Sequence, residues 1–242
     1  AMQMIDGKVP GVTVSGYGAS DPSRDPMSSL QVRGAGSLDA GNGPLIVIDG
    51  MPGGDLRNVA NQDIESITVL KDGSAAAIYG SRAANGVVIV QTKKGGNGKV
   101  SITYDGYIEH DFVANKPDLL SAEEFLEHGI DKDWGARTDW YDELIRKNNF
   151  GQNHYLALSG GCENTQFRVS TNYKKKDAID IATAREEYGI RAGFQQKTLE
   201  GFLEVGGNIS YRITNDNYLR MNDDYSNSYG AFSRAVKLNP TI

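Results

Sequence analysis

Apolar and polar positions change their period once along this chain, near residue 99. Before that point the apolar residues come in short, nearly unbroken runs. Val12-Thr13-Val14 is a candidate first strand, and Ser28 to Arg33 (SSLQVR) a second. Leu45-Ile46-Val47-Ile48 is the clearest and ends at Asp49-Gly50, and Ser66 to Leu70 and Val87 to Thr92 complete the set. Strands without alternation belong to a sheet covered on both faces, so this region predicts a small mixed α+β sheet. The run Ser74-Ala75-Ala76-Ala77-Ile78-Tyr79 predicts a short helix, capped by Asp72 or Ser74 and ended by Gly80. Asn85-Gly86 then turns the chain into the last apolar run. Lys93 to Lys99 is charged, rich in glycine and aperiodic, which marks a boundary.

After Lys99 the pattern alternates. Val100, Ile102, Tyr104 and Ile108 share one face, as do His154, Leu156 and Leu158. Phe167, Val169, Thr171 and Tyr173 alternate with Arg168, Ser170, Asn172 and Lys174; Tyr188, Ile190, Ala192 and Phe194 alternate with Gly189, Arg191, Gly193 and Gln195. Leu203, Val205, Gly207, Ile209, Tyr211 and Ile213 form the last such series. The segments run roughly 7 to 13 residues, whereas a membrane strand needs about 9–11 with its outward face apolar. Alternation alone favours a soluble antiparallel sheet with one wet face. A helical insertion interrupts the series. Ser121 and Glu124 form a capping box, with Leu120 and Phe125 as its staple and Gly129 as a stop. A second short helix starts at Thr138 or Asp139 and runs through Ile145.

Composition narrows the function classes. The 242 residues can bury a sizeable core, and a net charge of −6 gives no footprint for nucleic acid. No apolar run is long enough for a membrane helix, which leaves a β-barrel open. Cys162 is alone, so no internal disulfide forms. The histidines (His110, His128, His154) show no metal-ligand spacing and none lies near Ser81 in sequence, so neither a nucleophile–base pair nor a metal site is expected. Gly16 to Ser20 lacks the helix of a phosphate loop. Asn215-Asp216-Asn217 and Asn222-Asp223-Asp224 lack the pattern of a calcium loop. Carboxylate pairs such as Asp105/Glu109 exist, but no motif selects them. No catalysis and no cofactor are expected.

One uninterrupted string decides between the readings. Asp63 to Gly95, DIESITVLKDGSAAAIYGSRAANGVVIVQTKKG, closely resembles the plug-domain signature of the SusC/RagA family of TonB-dependent outer-membrane transporters. Thr138 to Gly161, TDWYDELIRKNNFGQNHYLALSGG, resembles the region where that family's first barrel strands are joined. Val9-Pro10-Gly11-Val12 resembles its plug entrance, and LQVRGAGS from Leu30 to Ser37 its Arg-Gly element. The resemblance implies a plug over residues 1–94 and the opening antiparallel strands of a barrel over 99–242, with the helical insertion at about 118–147. Asn239-Pro240 falls in a loop after the fifth strand. A family barrel has about 22 strands, and only about five fit here, so the chain reads as part of a longer protein. The family's TonB box and carboxypeptidase-like extension do not occur in it. The isolated piece is expected to be soluble, its strands pairing among themselves or with a second copy.

By the same resemblance the full protein is an importer in the outer membrane of a Gram-negative bacterium, and no enzyme. It takes up glycan or peptide with a SusD-like surface lipoprotein, driven by the TonB complex. The plug-motif residues, structural or gating, are Arg33, Asp49, Gly50, Asp63, Glu65, Lys71, Asp72, Tyr79, Gly80, Arg82, Asn85 and Gly86. Asp63, Glu65, Lys71, Asp72 and Arg82 are the candidates for polar contacts with the barrel lumen, which water can replace when the plug moves. The alternative is that they only cap the helix and solvate strand ends. A soluble periplasmic binding or signalling module with a plug-like fold is the competing function.

Overall fold

A computed structural model describes residues 12–14, 30–32, 43–71, 78–129, 132–217 and 231–242. Arg33, Asp72, the 9–11 segment, Gly16 to Ser20 and Asn222 to Asp224 lie outside the described residues. The unbroken apolar runs become strands of a small sheet. These are β3 (Leu45–Ile48), β4 (Met51–Pro52), β5 (Ile64–Leu70) and β6 (Val87–Thr92), in the order β4-β3-β6-β5. β3 and β6 run parallel, Leu45 beside Val87 and Ile48 beside Val90, and the other pairings are antiparallel. A two-stranded ribbon, β1 (Val12–Val14) with β2 (Leu30–Val32), pairs antiparallel. Both faces of the sheet are covered, as unbroken apolar strands require. Ile46, Val88 and Val90 pack with Leu30, Val32, Leu56, Val59 and Ile64; Val47 and Val87 pack with Ala83 on the other face.

One detail differs from the sequence expectation, and two add to it. β5 begins at Ile64 rather than Ser66, because a bulge between Ile64 and Ser66 turns Ile64 into the core. Gly80 ends the helix after Ile78–Tyr79 as expected, with φ +67, and leads into a 3-10 turn, Gly80–Ala83, that buries Ala83; Ser74 to Ala77 lie outside the described residues. Asp49 and Gly50 both adopt left-handed φ (49 and 84), the two-residue hairpin turn that joins β3 to β4.

The alternating segments form one antiparallel meander, β7 (Gly98–Glu109), β8 (Gly151–Gly161), β9 (Thr165–Asp177), β10 (Ala184–Thr198) and β11 (Leu203–Asn217). Each strand pairs with its sequence neighbour within the chain. Register aligns the apolar positions into rows: Ile102, Leu158, Val169, Ala192 and Ile209 stand side by side, and Tyr104, Leu156, Thr171, Ile190 and Tyr211 form the next. This face is exposed except at the half-buried Ala192, while Asn153, Tyr155, Ala157 and Ser170 on the opposite face are buried. The wall is therefore apolar outside and polar inside, the reverse of a soluble sheet.

The insertion holds α1 (Ala122–Glu127) and α2 (Trp140–Glu143), and α3 (Ala231–Ala235) follows β11. The capping box forms as expected: Ser121 Oγ accepts from the Glu124 N–H and Glu124 accepts from the Ser121 N–H. Asp139 caps α2, and Lys116 pairs with it. The Ser121 N–H holds the Glu124 carboxyl below its usual range, and Lys116 does the same to Asp139. The stabilisation these carboxylates lend is thus present above their ordinary pKa and disappears as pH falls through the depressed values. Amide-exchange protection factors at the starts of α1 and α2, corrected for intrinsic rates, are expected to fall on acidification, and Glu124→Gln is expected to abolish that pH dependence in α1 alone. Asn239 and Thr241 are buried and tie the chain after β11 onto the insertion: Trp140 Nε1 donates to the Asn239 carbonyl at 3.0 Å and the Ala136 N–H to that of Thr241 at 2.8 Å.

Candidate functional site where the small sheet meets the wall

One end of the small sheet abuts the inner face of β8–β10. It gathers the carboxyl ends of β3 and β6 with the start of β5. A 3-10 turn, Asn61–Asp63, delivers Asp63 there; its N–H donates to the Ala60 carbonyl at 3.0 Å and its own carbonyl accepts from the Lys93 N–H at 2.8 Å. The Asp63 side chain is buried, 5% exposed, and would be costly there without partners. The wall supplies them. Tyr155 OH donates to Oδ1 at 2.5 Å, Ser170 Oγ to Oδ2 at 2.7 Å, and the Arg168 guanidinium lies 3.5 Å from Oδ1 while donating to Tyr155 at 2.7 Å.

Asp49 makes the second contact. Thr92 donates to it twice, through its N–H to Oδ1 and its hydroxyl to Oδ2, both at 2.8 Å. Arg191 of β10 donates to the same Oδ2 and to the Thr92 hydroxyl. Each plug-side carboxylate therefore faces one wall arginine, and each is braced by neutral hydroxyls. Half-buried Gln62 adds a hydrogen bond to Asp105 of β7 at 3.0 Å.

The connection from β6 to β7 runs against the wall at Gly95. A Cβ there would stand 2.5 Å from the Phe167 N and O atoms, closer than any side chain tolerates. Gly95→Ala is expected to push the linker off β9 at a cost of about 1–3 kcal/mol. The check is a lower midpoint for heat-induced loss of the folded band of the full-length protein in detergent.

The remaining expected residues divide. Gly50, Gly80 and Gly86 have φ of 84, 67 and 89, and at Gly86 a Cβ would meet Val32 at 3.0 Å. Tyr79 packs beside Val47, Ala83 and Val87. Asn85 is half-buried in the turn before β6, and Lys71 half-buried after β5. Glu65 and Arg82 are exposed and make no ion pair with β7–β11 among the described residues. Among the described lumen candidates, Asp63 alone has a hydrogen bond or ion pair to the described wall. The sequence reading missed Tyr155, Arg168, Ser170, Thr92 and Arg191. Their signal was present: arginines at inward positions of strands whose other face is apolar.

The sequence profile of the TonB-dependent Receptor Plug Domain matches residues 1–87. Over its whole length the chain is 32% identical to the TonB-dependent receptor SusC of Bacteroides thetaiotaomicron. The chain belongs to the SusC/RagA family of TonB-dependent receptors. Over 86% of its length it is also 36% identical to the TonB-dependent receptor P3 of Formosa agariphila. It spans 25% and 21% of these two relatives. A chain of the RagAB peptide importer in its open-open state superposes on 95% of it with a TM-score of 0.77 at 26% identity, using 30% of that chain. The small sheet is thus the plug of a TonB-dependent receptor, and β7–β11 are antiparallel strands of its incomplete barrel.

Proposed function

We propose that this chain supplies the plug and five wall strands of an outer-membrane importer. It takes up a glycan or peptide with a SusD-like surface lipoprotein and is driven by the TonB complex. One observation carries the reading: two plug carboxylates, Asp49 and Asp63, sit on guanidiniums inside a wall whose outer face is apolar. Leu203 to Ile213 covers about 34 Å along the strand at ~3.4 Å per residue, or roughly 25 Å across a membrane at a tilt of about 40°. Phe167 and Phe194 pair near one end of the band; Tyr104, His154, Tyr173 and Tyr188 cluster near the other, as interfacial girdles do. The RagAB likeness, to a peptide importer, supports peptide no less than glycan as cargo.

Short turns face the periplasm and long loops the outside in such walls. This puts Cys162 to Asn164 and Leu199 to Phe202 inside, and the 110–150 insertion outside. The Asn164 N–H, with that of Thr165, lowers the exposed Cys162 thiol below its usual pKa, so it labels readily. In intact cells a membrane-impermeant maleimide is expected to miss Cys162 and to label it once the outer membrane is opened, with Cys162→Ser as the blank. Labelling in intact cells contradicts the orientation.

Glu65, Lys71 and Arg82 are assigned to polar contacts with parts of the lumen beyond these five strands, and Arg33 and Asp72 stay plug-motif candidates, structural or gating. Gly50, Gly80, Gly86, Tyr79 and Asn85 hold the plug's turns. Neutralising Arg82 in the full-length protein tests its assignment: unchanged import and unchanged leak remove it from gating. The function itself is tested by deleting the gene and scoring growth on glycan and on peptide mixtures with and without TonB. TonB-dependent loss of growth on one of them is expected. A full-length product found in the soluble fraction contradicts the reading.

A further inference from the structure

Beside the Asp49 contact, between the end of β6 and the wall strands β9–β11, lies a cavity of about 410 Å³. Its size is that of a small-molecule site. Lys93 and Lys94 line its plug side, and Gln166, Gln195 and Asn208 its wall side. Gly193 and Gly206 stand where inward side chains would otherwise fill it.

Its charge is unbalanced. Four cations line it, Lys93, Lys94, Arg168 and Arg191, against two carboxylates, Asp49 and Glu204. Glu204 accepts from Gln195 and makes no ion pair among the described residues. Arg191 spends one nitrogen, Nη2, on Asp49 and Thr92, and its other donors have no acceptor among the described residues. Arg168 reaches its carboxylate only at 3.5 Å, and its Nε is buried without an acceptor. Guanidiniums with spare donors, ringed by amides, suit a planar oxyanion with polar neighbours.

We propose that this cavity is a subsite for a carboxylate-bearing solute, held by Arg191 with Lys93 and Lys94 at its mouth. The proposal rests on the importer reading and names the chemistry of its cargo: an acidic sugar or the free carboxyl end of a peptide. The solute's carboxylate approaches the arginine that holds Asp49, so occupancy and plug anchoring share one group.

The test uses purified full-length protein in detergent, without TonB, so its outcome is separate from whether the protein imports. Binding of D-galacturonate is compared with D-galactose, and of Ala-Ala with Ala-Ala amide, by calorimetry. One carboxylate is expected to bind at least about tenfold more tightly than its neutral counterpart, and added salt to weaken it. Which of the two binds identifies the source. Gly193→Leu adds a side chain into the cavity from a position where a Cβ meets only ordinary contacts, the nearest at 3.8 Å. It is expected to abolish binding while the heat-resistant folded band persists. Lys93→Gln/Lys94→Gln is expected to weaken binding several-fold. Equal affinity for acid and neutral forms, no binding of any probe, or binding indifferent to both variants overturns the proposal.

Discussion

Asp63→Ala is expected to free the plug from the wall and make the full-length protein leak. The substitution removes the carboxylate that pairs with Arg168 among the described residues; the Arg168 side chain is only 14% exposed and its Nε already lacks an acceptor. It also strips the buried hydroxyls of Tyr155 and Ser170 of their shared acceptor. Removing one partner of a buried pair costs about 3–5 kcal/mol, mostly through the charge left behind. Asp63→Asn keeps an acceptor for the hydroxyls and loses only the charge, so its leak should fall between wild type and alanine. Arg168→Ala added to Asp63→Ala should cost less than the two singles summed, because the orphaned charge is gone. Conductance in planar bilayers reads all three. A tight Asp63→Ala channel would show that the plug is held elsewhere.

Val169→Lys is expected to block assembly into the outer membrane. Val169 stands in the middle of the outward band, between Leu158 and Ala192. A lysine at the midplane of a lipid-facing strand costs about 2–4 kcal/mol, since lipid offers the ammonium no partner. The same side chain at Thr214, on the inward face and opposite Glu187, should assemble at near wild-type levels. Fractionation and heat-modifiability of the two full-length variants check the contrast. Equal assembly of both would mean that the exposed apolar rows do not face lipid.

Much of this architecture was legible in local pattern. The run Leu45 to Ile48 could only be a strand covered on both faces, and the alternation from Val100 onward marked one apolar face per strand. Ser121 with Glu124, and Asp139 before Trp140, announced helix starts through chemistry that operates within one turn. What could not be read depends on contacts distant in sequence. Nothing near Asp63 says that it will be buried while Glu65, two residues on, stays exposed. That follows from the bulge after Ile64 and from Tyr155, Arg168 and Ser170, which lie some ninety or more positions downstream. Asp49 read as a turn residue, which it is, and also proved to be an anchor, because Arg191 arrives from β10.

A thiol-accessibility scan along β9 of the full-length protein in native membranes reads which face of the wall meets lipid and which meets the plug. Single cysteines at positions 167 to 173 are to be reacted with a water-soluble and a lipid-soluble maleimide. Reactivity should alternate with a period of two. Val169→Cys and Thr171→Cys should react only with the lipid-soluble reagent, and Ser170→Cys with neither while the plug is seated. Ready labelling of Val169→Cys and Thr171→Cys by the water-soluble reagent would contradict this arrangement.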